Sequence, residues 1–92
     1  MAETQSGAPG SGAGSPLRAV IEVVVRALVD QPEAVRVTEA ERRGTTVLEL
    51  KTAPSDMGKV IGRQGRTAAA LRTLLSVTAE KHGRRAQLDI RD

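Results

Sequence analysis

The 92-residue chain contains no phenylalanine, tyrosine, tryptophan or cysteine, and it has a single histidine, His82. Without aromatic residues the hydrophobic core must be aliphatic, and no base can stack on an aromatic side chain. Without cysteine there are no disulfides, cysteine-ligated zinc sites, iron–sulfur clusters or thiol catalysis. One histidine disfavours a histidine-rich metal site and a histidine-based triad. We therefore expect neither a metal nor another cofactor.

Long apolar runs are also missing, since none approaches the roughly 20 residues needed to span a membrane. Residues 1–14 have neither the basic start nor the apolar stretch of a signal peptide. We therefore expect a cytoplasmic protein without membrane insertion. The length predicts one small domain.

The charge is small overall and uneven along the chain. The net charge is +3, but residues 59–85 contain seven basic residues and one acidic residue, whereas residues 17–58 contain six basic and seven acidic ones. A basic C-terminal half beside a nearly neutral one predicts a surface that faces a polyanion. The alternative is a solvated helix face.

The first 16 residues are mostly glycine, alanine, serine and proline. Such a segment buries too little apolar area to offset its ordering entropy, so we predict a disordered tail over residues 1–16 and one domain over residues 17–92. Ser15-Pro16 resembles a helix N-cap followed by proline at the first helical position. An amphipathic helix follows and ends at Asp30-Gln31-Pro32. Its apolar positions recur at helical spacing: Leu17, Val20, Ile21, Val24 and Leu28.

Alternating apolar and polar residues predict strands over Val35–Glu39 and Thr46–Thr52. The polar connection Glu41–Gly44 between them contains a glycine, which predicts a hairpin with a longer loop. A third alternating segment, Ala86–Arg91, predicts a third strand.

Two helices are predicted between the second and third strands. The first is short, covers Met57–Ile61 and is capped by Ser55 or Asp56. The second is longer and stops at Gly83. Its apolar face consists of Ala68, Leu71, Leu74, Leu75 and Ala79. The order helix–strand–strand–helix–helix–strand predicts an α+β two-layer sandwich, in which helices cover one face of a three-stranded sheet.

Gly62 and Gly65 lie between these two helices, and Arg63 and Arg66 accompany them. Gly62 ends the first helix with backbone angles that are closed to other residues. Gly65 has no side chain to block a ligand that approaches the backbone. Unpaired amides of Gly65 and Arg66 at a helix N-terminus favour an anion. The pattern predicts a cradle for a sugar–phosphate backbone, with a plain turn as the alternative.

The stretch Gly58-Lys59-Val60-Ile61-Gly62-Arg63-Gln64-Gly65-Arg66 resembles the signature of the KH RNA-binding domain, whose GXXG loop clamps about four nucleotides. The order of elements resembles the bacterial, type II arrangement, and the chain is similar to small bacterial proteins made of one KH domain. The resemblance covers residues 17–92 and includes Leu28–Val35 and Gly65–Ser76. Ala68 departs from it, because many KH domains have a large aliphatic residue there. This departure bears on base preference.

The resemblance implies an RNA-binding site around the glycine loop. The residues that would hold the RNA backbone are Gly62, Arg63, Gln64 and Gly65. The residues that would add positive charge are Lys59, Arg66 and Arg72. Val60 and Ile61, with part of the second strand, would form an apolar floor for bases, unless one of the two belongs to the core. Arg42 and Arg43, in the hairpin connection, would form the opposite wall of the groove, with a solvated loop as the alternative.

The residues present do not favour an enzyme, because the serine, aspartate and histidine residues show no catalytic spacing and the glycine loop is not a P-loop. The rival hypothesis is a protein-assembly module. Small bacterial KH proteins form homodimers and pair with a larger KH-containing protein linked to cell elongation and division. The resemblance therefore implies a post-transcriptional regulator or RNA chaperone that acts with such a partner. The first helix also carries Val23, Val25 and Val29 beside its main apolar stripe, which predicts a dimer surface.

Overall fold

The structure, a computed structural model, describes residues 15–91. Residues 1–14, and with them most of the predicted tail, lie outside the described residues. In chain order the elements are α1 (Pro16–Leu28), β1 (Arg36–Arg42), β2 (Thr45–Lys51), α2 (Met57–Ile61), α3 (Arg66–Lys81) and β3 (Arg85–Arg91). This is the predicted α+β order. Of the helices in this part of the chain, none combines the length and the apolarity that a bilayer crossing demands.

The three strands form one mixed sheet in the order β1-β2-β3. β1 and β2 are antiparallel neighbours joined by a hairpin, whereas β2 and β3 run parallel. A parallel pair needs a crossover connection, which α2 and α3 provide. The parallel register places Lys51 beside Arg91 at one end of the sheet and Thr45 beside Arg85 at the other.

The first helix begins at Pro16, one residue before the predicted domain boundary. Ser15 is its N-cap, and its hydroxyl accepts a hydrogen bond from the Arg18 amide at 3.3 Å. The same hydroxyl donates to a carboxylate oxygen of Glu39 at 2.8 Å. The cap therefore also connects the start of α1 to β1.

One aliphatic cluster joins the helices to the covered face of the sheet. Its buried members are Leu17, Ile21, Val25, Val29, Val35, Val37, Leu48, Leu50, Val60, Leu71, Leu75, Ala79 and Leu88. Every helix and every strand contributes at least one of them. Val25 and Val29, predicted as surplus apolar surface on the first helix, are part of this core, while Val23 is 70% exposed.

The hairpin connection is shorter than predicted. β1 continues to Arg42 and β2 starts at Thr45, so only Arg43 and Gly44 form the turn. Both have positive φ, 52° and 81°, as a two-residue type I′ turn requires. The predicted loop over Glu41–Gly44 was wrong because the end of β1 is exposed on both faces and shows no alternation of burial.

Asp56 does not cap α2 through its side chain, contrary to the prediction. Its carboxylate is almost completely buried and accepts hydrogen bonds from the amides of Asp30 and Gln31, at 3.1 and 3.0 Å. These amides lie 26 and 25 residues earlier in the chain. Asp56 therefore connects the segment after α1 to the start of α2.

We expect Asp56→Ala to lower the free energy of unfolding by about 2–3 kcal/mol, because two part-buried amides lose a charged acceptor. Urea denaturation followed by circular dichroism measures this change. Ser55→Ala is the matched control, since Ser55 is exposed and accepts only an exposed side-chain hydrogen bond from Gln31. Equal stability of the two variants would contradict the bridging role of Asp56.

Candidate nucleic-acid interface

Gly62 ends α2 in a conformation that is essentially restricted to glycine. Its φ is 78° and its ψ is 168°, and its amide donates to the Gly58 carbonyl at 2.8 Å. A Cβ atom at this position would lie 2.8 Å from the backbone nitrogen of Thr67. Because the first turn of α3 cannot move away independently, the close approach of α2 and α3 requires glycine here.

The tip of the loop is a single 3-10 turn, Arg63–Gly65. Gln64 and Gly65 both have positive φ, 56° and 72°. A Cβ atom on Gly65 would have no neighbour within 4 Å, so the backbone is open to solvent there. The two left-handed residues turn the chain into α3 and leave Arg63 and Gln64 exposed.

The backbone amides predicted to be unpaired are not free. The Gly65 amide donates to the Gly62 carbonyl at 3.1 Å, and the Arg66 amide donates to the Arg63 carbonyl. The prediction was wrong because the turn is tight enough to pair its own amides. Attraction of an anion to this loop therefore depends on the basic side chains and on the dipole of α3.

Three basic residues surround the loop, and they differ in their hydrogen-bond and ion-pair partners. Arg63 forms no ion pair or side-chain hydrogen bond with any of residues 15–91. The Arg66 guanidinium donates to the Gln64 side-chain oxygen at 3.1 Å, which holds it beside the loop. The Lys59 ammonium lies 3.1 Å from an Asp30 carboxylate oxygen, but an exposed pair of this kind is worth only about 0–1 kcal/mol. A polyanion can therefore replace Asp30 as the partner of Lys59.

A groove with a mixed polar and apolar lining starts directly beside the loop. Its lining residues are Lys51, Met57, Ile61, Ile90 and Arg91, and its volume is about 510 Å³. α2 forms one wall, and the adjacent C-terminal ends of β2 and β3 form the other. Ile61 is 36% exposed in this groove, whereas Val60 is completely buried in the core. Of the two residues predicted as the groove floor, only Ile61 is accessible to a ligand.

The structure does not bring Arg42 and Arg43 to this groove. They lie at the hairpin end of the sheet, six residues along β2 from Lys51, which at about 3.3 Å per residue is roughly 20 Å. Arg72 is exposed on α3, six residues beyond Arg66. The opposite wall consists instead of Lys51, from the second strand that was expected to contribute, and of Ile90 and Arg91. Sequence reasoning missed Ile90 and Arg91 because the parallel pairing of β2 with β3 has no local sequence signal.

Comparison with known sequences points to one family. A family model described as the KH domain of KhpA/KhpB matches residues 18–90. The chain is similar to "RNA-binding protein KhpA" of Aquifex aeolicus, with 47% identity over 76 residues, 83% of this chain and 96% of that protein. It is also similar to the proteins of that name from Borreliella burgdorferi (48% over 73 residues, 79% and 89%) and Leifsonia xyli subsp. xyli (51% over 69 residues, 75% and 88%).

Comparison with solved structures supports the fold. The chain is similar to part of a variant of Era from Aquifex aeolicus, solved with GDP and AlF4⁻, with a TM-score of 0.53 and 17% sequence identity. The match covers 95% of this chain and 35% of the Era chain. At this identity the likeness shows a shared architecture alone.

We expect alanine at the two loop glycines to have different costs. Gly62→Ala should lower the free energy of unfolding by about 3 kcal/mol, because the new Cβ meets the Thr67 backbone in a conformation closed to alanine. Gly65→Ala should cost about 1 kcal/mol, because only the left-handed backbone is unfavourable. Urea denaturation of both variants measures the difference. A cost for Gly65→Ala equal to or above that of Gly62→Ala would contradict the close approach of α2 and α3.

Proposed function

This chain belongs to the KhpA/KhpB family of KH domains, and on that premise we propose that it binds single-stranded RNA at the glycine loop Gly62–Gly65. Relatives that match over most of their length are named RNA-binding proteins. The observation that carries the proposal is the exposed, arginine-bearing loop tip that opens onto the groove, where Met57, Ile61 and Ile90 offer apolar side chains. A backbone contact and a place for bases are thus adjacent. The activity is binding and not catalysis.

In this proposal the loop holds the phosphate backbone and the groove holds bases. The residues placed against the backbone are Gly62, Arg63, Gln64 and Gly65. Lys59, Arg66 and Arg72 add positive charge along the path of the RNA. Ile61 is the apolar contact for a base, together with Met57 on the same wall and Ile90 across the groove.

A site of this kind binds weakly and with little sequence preference. A KH loop clamps about four nucleotides, and this chain lacks the aromatic residues that contribute about 1–3 kcal/mol per stacked base. We propose that the protein acts as a post-transcriptional regulator or RNA chaperone in the cytoplasm, together with a partner KH protein. Crosslinking in cells, followed by sequencing of the bound RNA, tests this role when a variant without loop binding is the control.

We expect Arg63→Asp combined with Gln64→Asp to abolish RNA binding and leave the fold intact. Both side chains are exposed, so little packing is lost, and carboxylates near the N-terminus of α3 do not disfavour the helix. They repel phosphate at the proposed contact. Arg26→Asp with Ala19→Asp on α1 is the control, since it changes the net charge equally at a different exposed surface.

The measurement is a fluorescence titration at several salt concentrations, with circular dichroism as the check of folding. For the wild type, three or four phosphate contacts predict a log–log salt slope of roughly −2 to −3. A flat salt response, an unfolded double variant, or binding that survives in it would each contradict the assignment.

A second candidate function, assembly with a second copy of this chain or with a larger KH-containing protein, has its own observation. Half-exposed apolar side chains line a groove of about 330 Å³ between α1 and α3, including Val24, Leu28, Ala70 and Leu74. On the same helices Val23 and Val77 are 70% and 48% exposed. We call these six residues the helical apolar face. A small domain gains stability when such a face is buried by association.

We expect the protein to be a dimer at tens of micromolar through the helical apolar face, separate from the glycine loop. Val23→Lys with Val77→Lys should yield a monomer without unfolding it, because both side chains are largely exposed. Thr38→Lys, on the uncovered face of the sheet, is the control. Sedimentation equilibrium decides: a monomeric wild type rejects the dimer. A dimer lost only in the Arg63→Asp, Gln64→Asp variant would place the interface at the loop and overturn the RNA-binding proposal.

A further inference from the structure

Three arginines cluster at the end of the sheet that lies away from the glycine loop. Arg42 and Arg85 occupy the outer strands on either side of Thr45, in one row of the sheet, and Arg43 is at the adjacent turn. We call Arg42, Arg43 and Arg85 the hairpin arginine cluster. All three are exposed, and none forms an ion pair or a side-chain hydrogen bond with the rest of the described chain.

The neighbouring acids do not neutralise this cluster. Glu41 lies on the other face of β1, accepts hydrogen bonds from Thr46 and Arg84 at 2.6 and 2.8 Å, and these bonds hold its pKa below the usual range. Glu41 therefore pairs with Arg84 and not with an arginine of the cluster. Glu80 lines the same surface groove as Arg85 but forms no ion pair with it among residues 15–91.

On the uncovered face itself, acids are distant. The next row of the sheet, Ala40, Val47 and Gln87, is uncharged. The acids beyond it, Glu49 and Asp89, lie four residues along their strands from Thr45 and Arg85, or about 13 Å. This distance exceeds the Debye length of about 8–10 Å at physiological salt. On this face of the sheet, the three guanidinium groups therefore have no acidic neighbour within a Debye length.

Arg43 occupies a backbone position that disfavours it. Its φ is 52° at the first residue of the two-residue turn, where asparagine, aspartate or glycine is preferred. Because Arg43 is exposed at the tip of the hairpin, packing does not explain why an arginine adopts this unfavourable conformation. A local rule broken at such a position is expected where the side chain has a binding role.

We propose that the hairpin arginine cluster is a second site for the phosphate backbone of RNA, about 20 Å from the groove at the other end of the sheet. Guanidinium groups match phosphate oxygens with paired hydrogen bonds. Phosphate binding needs only exposed positive charge, whereas a protein partner needs an apolar centre, and Val47 in the adjacent row is only 8% exposed. This inference rests on the proposed RNA binding and adds a second contact that raises the avidity for longer RNA.

The test compares two oligouridylates, one of about four nucleotides, the footprint of the loop, and one about five times longer. Arg42→Gln with Arg85→Gln should leave the affinity for the short RNA unchanged. It should lower the affinity for the long RNA about tenfold and reduce the salt slope by about 1.4, for two lost contacts on a single strand. The control, Arg26→Gln with Ala19→Glu, lowers the net charge by the same amount at an exposed surface of α1.

Arg43→Asn separates a binding role from a structural one. Asparagine suits the left-handed turn, so the melting temperature should stay equal or rise while the affinity for the long RNA falls. An equal loss in the control variant, a loss that includes the short RNA, or long-RNA binding unchanged in every hairpin variant would overturn the second site. If the wild type binds neither RNA, the proposed function itself fails. If short-RNA binding depends on the loop and long-RNA binding ignores the hairpin, only this inference fails.

Discussion

The structure depends on aliphatic packing between one sheet face and the helices that cover it. Because no aromatic side chain is present, no single residue fills a large volume, and every helix and strand adds at least one branched or small side chain to one cluster. Leu48, Leu50 and Leu88 present the sheet side, while Ile21 and Leu75 are buried from the helical side. Burial of these groups fixes where α2 and α3 stand, and so where the loop between them can lie.

Within that frame, the junction of α2 and α3 sets the geometry of the candidate site. Gly62 allows the end of α2 to approach the Thr67 backbone, which no side chain at this position permits. Asp56 holds the other end of α2 to the segment after α1. With both ends fixed, Ile61 faces the groove rather than the core, and Arg63 is carried to an exposed tip. The same contacts that stabilise the domain thus orient the surface proposed to face RNA.

Basic residues lie at both ends of the sheet. At the groove end, Lys51 and Arg91 stand side by side next to the glycine loop, and Arg91 is partly neutralised by Glu49 at 2.9 Å. At the hairpin end, Arg42 and Arg85 have no such partner among the described residues. The strands between them are about 20 Å long. The proposed primary site and the hairpin arginine cluster therefore lie at opposite ends of one sheet.

The sequence by itself determined the order of the elements, the α+β class and the position of the glycine loop, because hydrophobic period, caps and glycine spacing are local properties of the chain. Only the tertiary structure decided the rest: that β3 pairs parallel to β2, that Val60 is core while Ile61 is accessible, and that Arg42 joins Arg85 instead of the groove. These outcomes depend on strand register and on contacts between residues distant along the chain. Local patterns carry no information about which distant surfaces pack together.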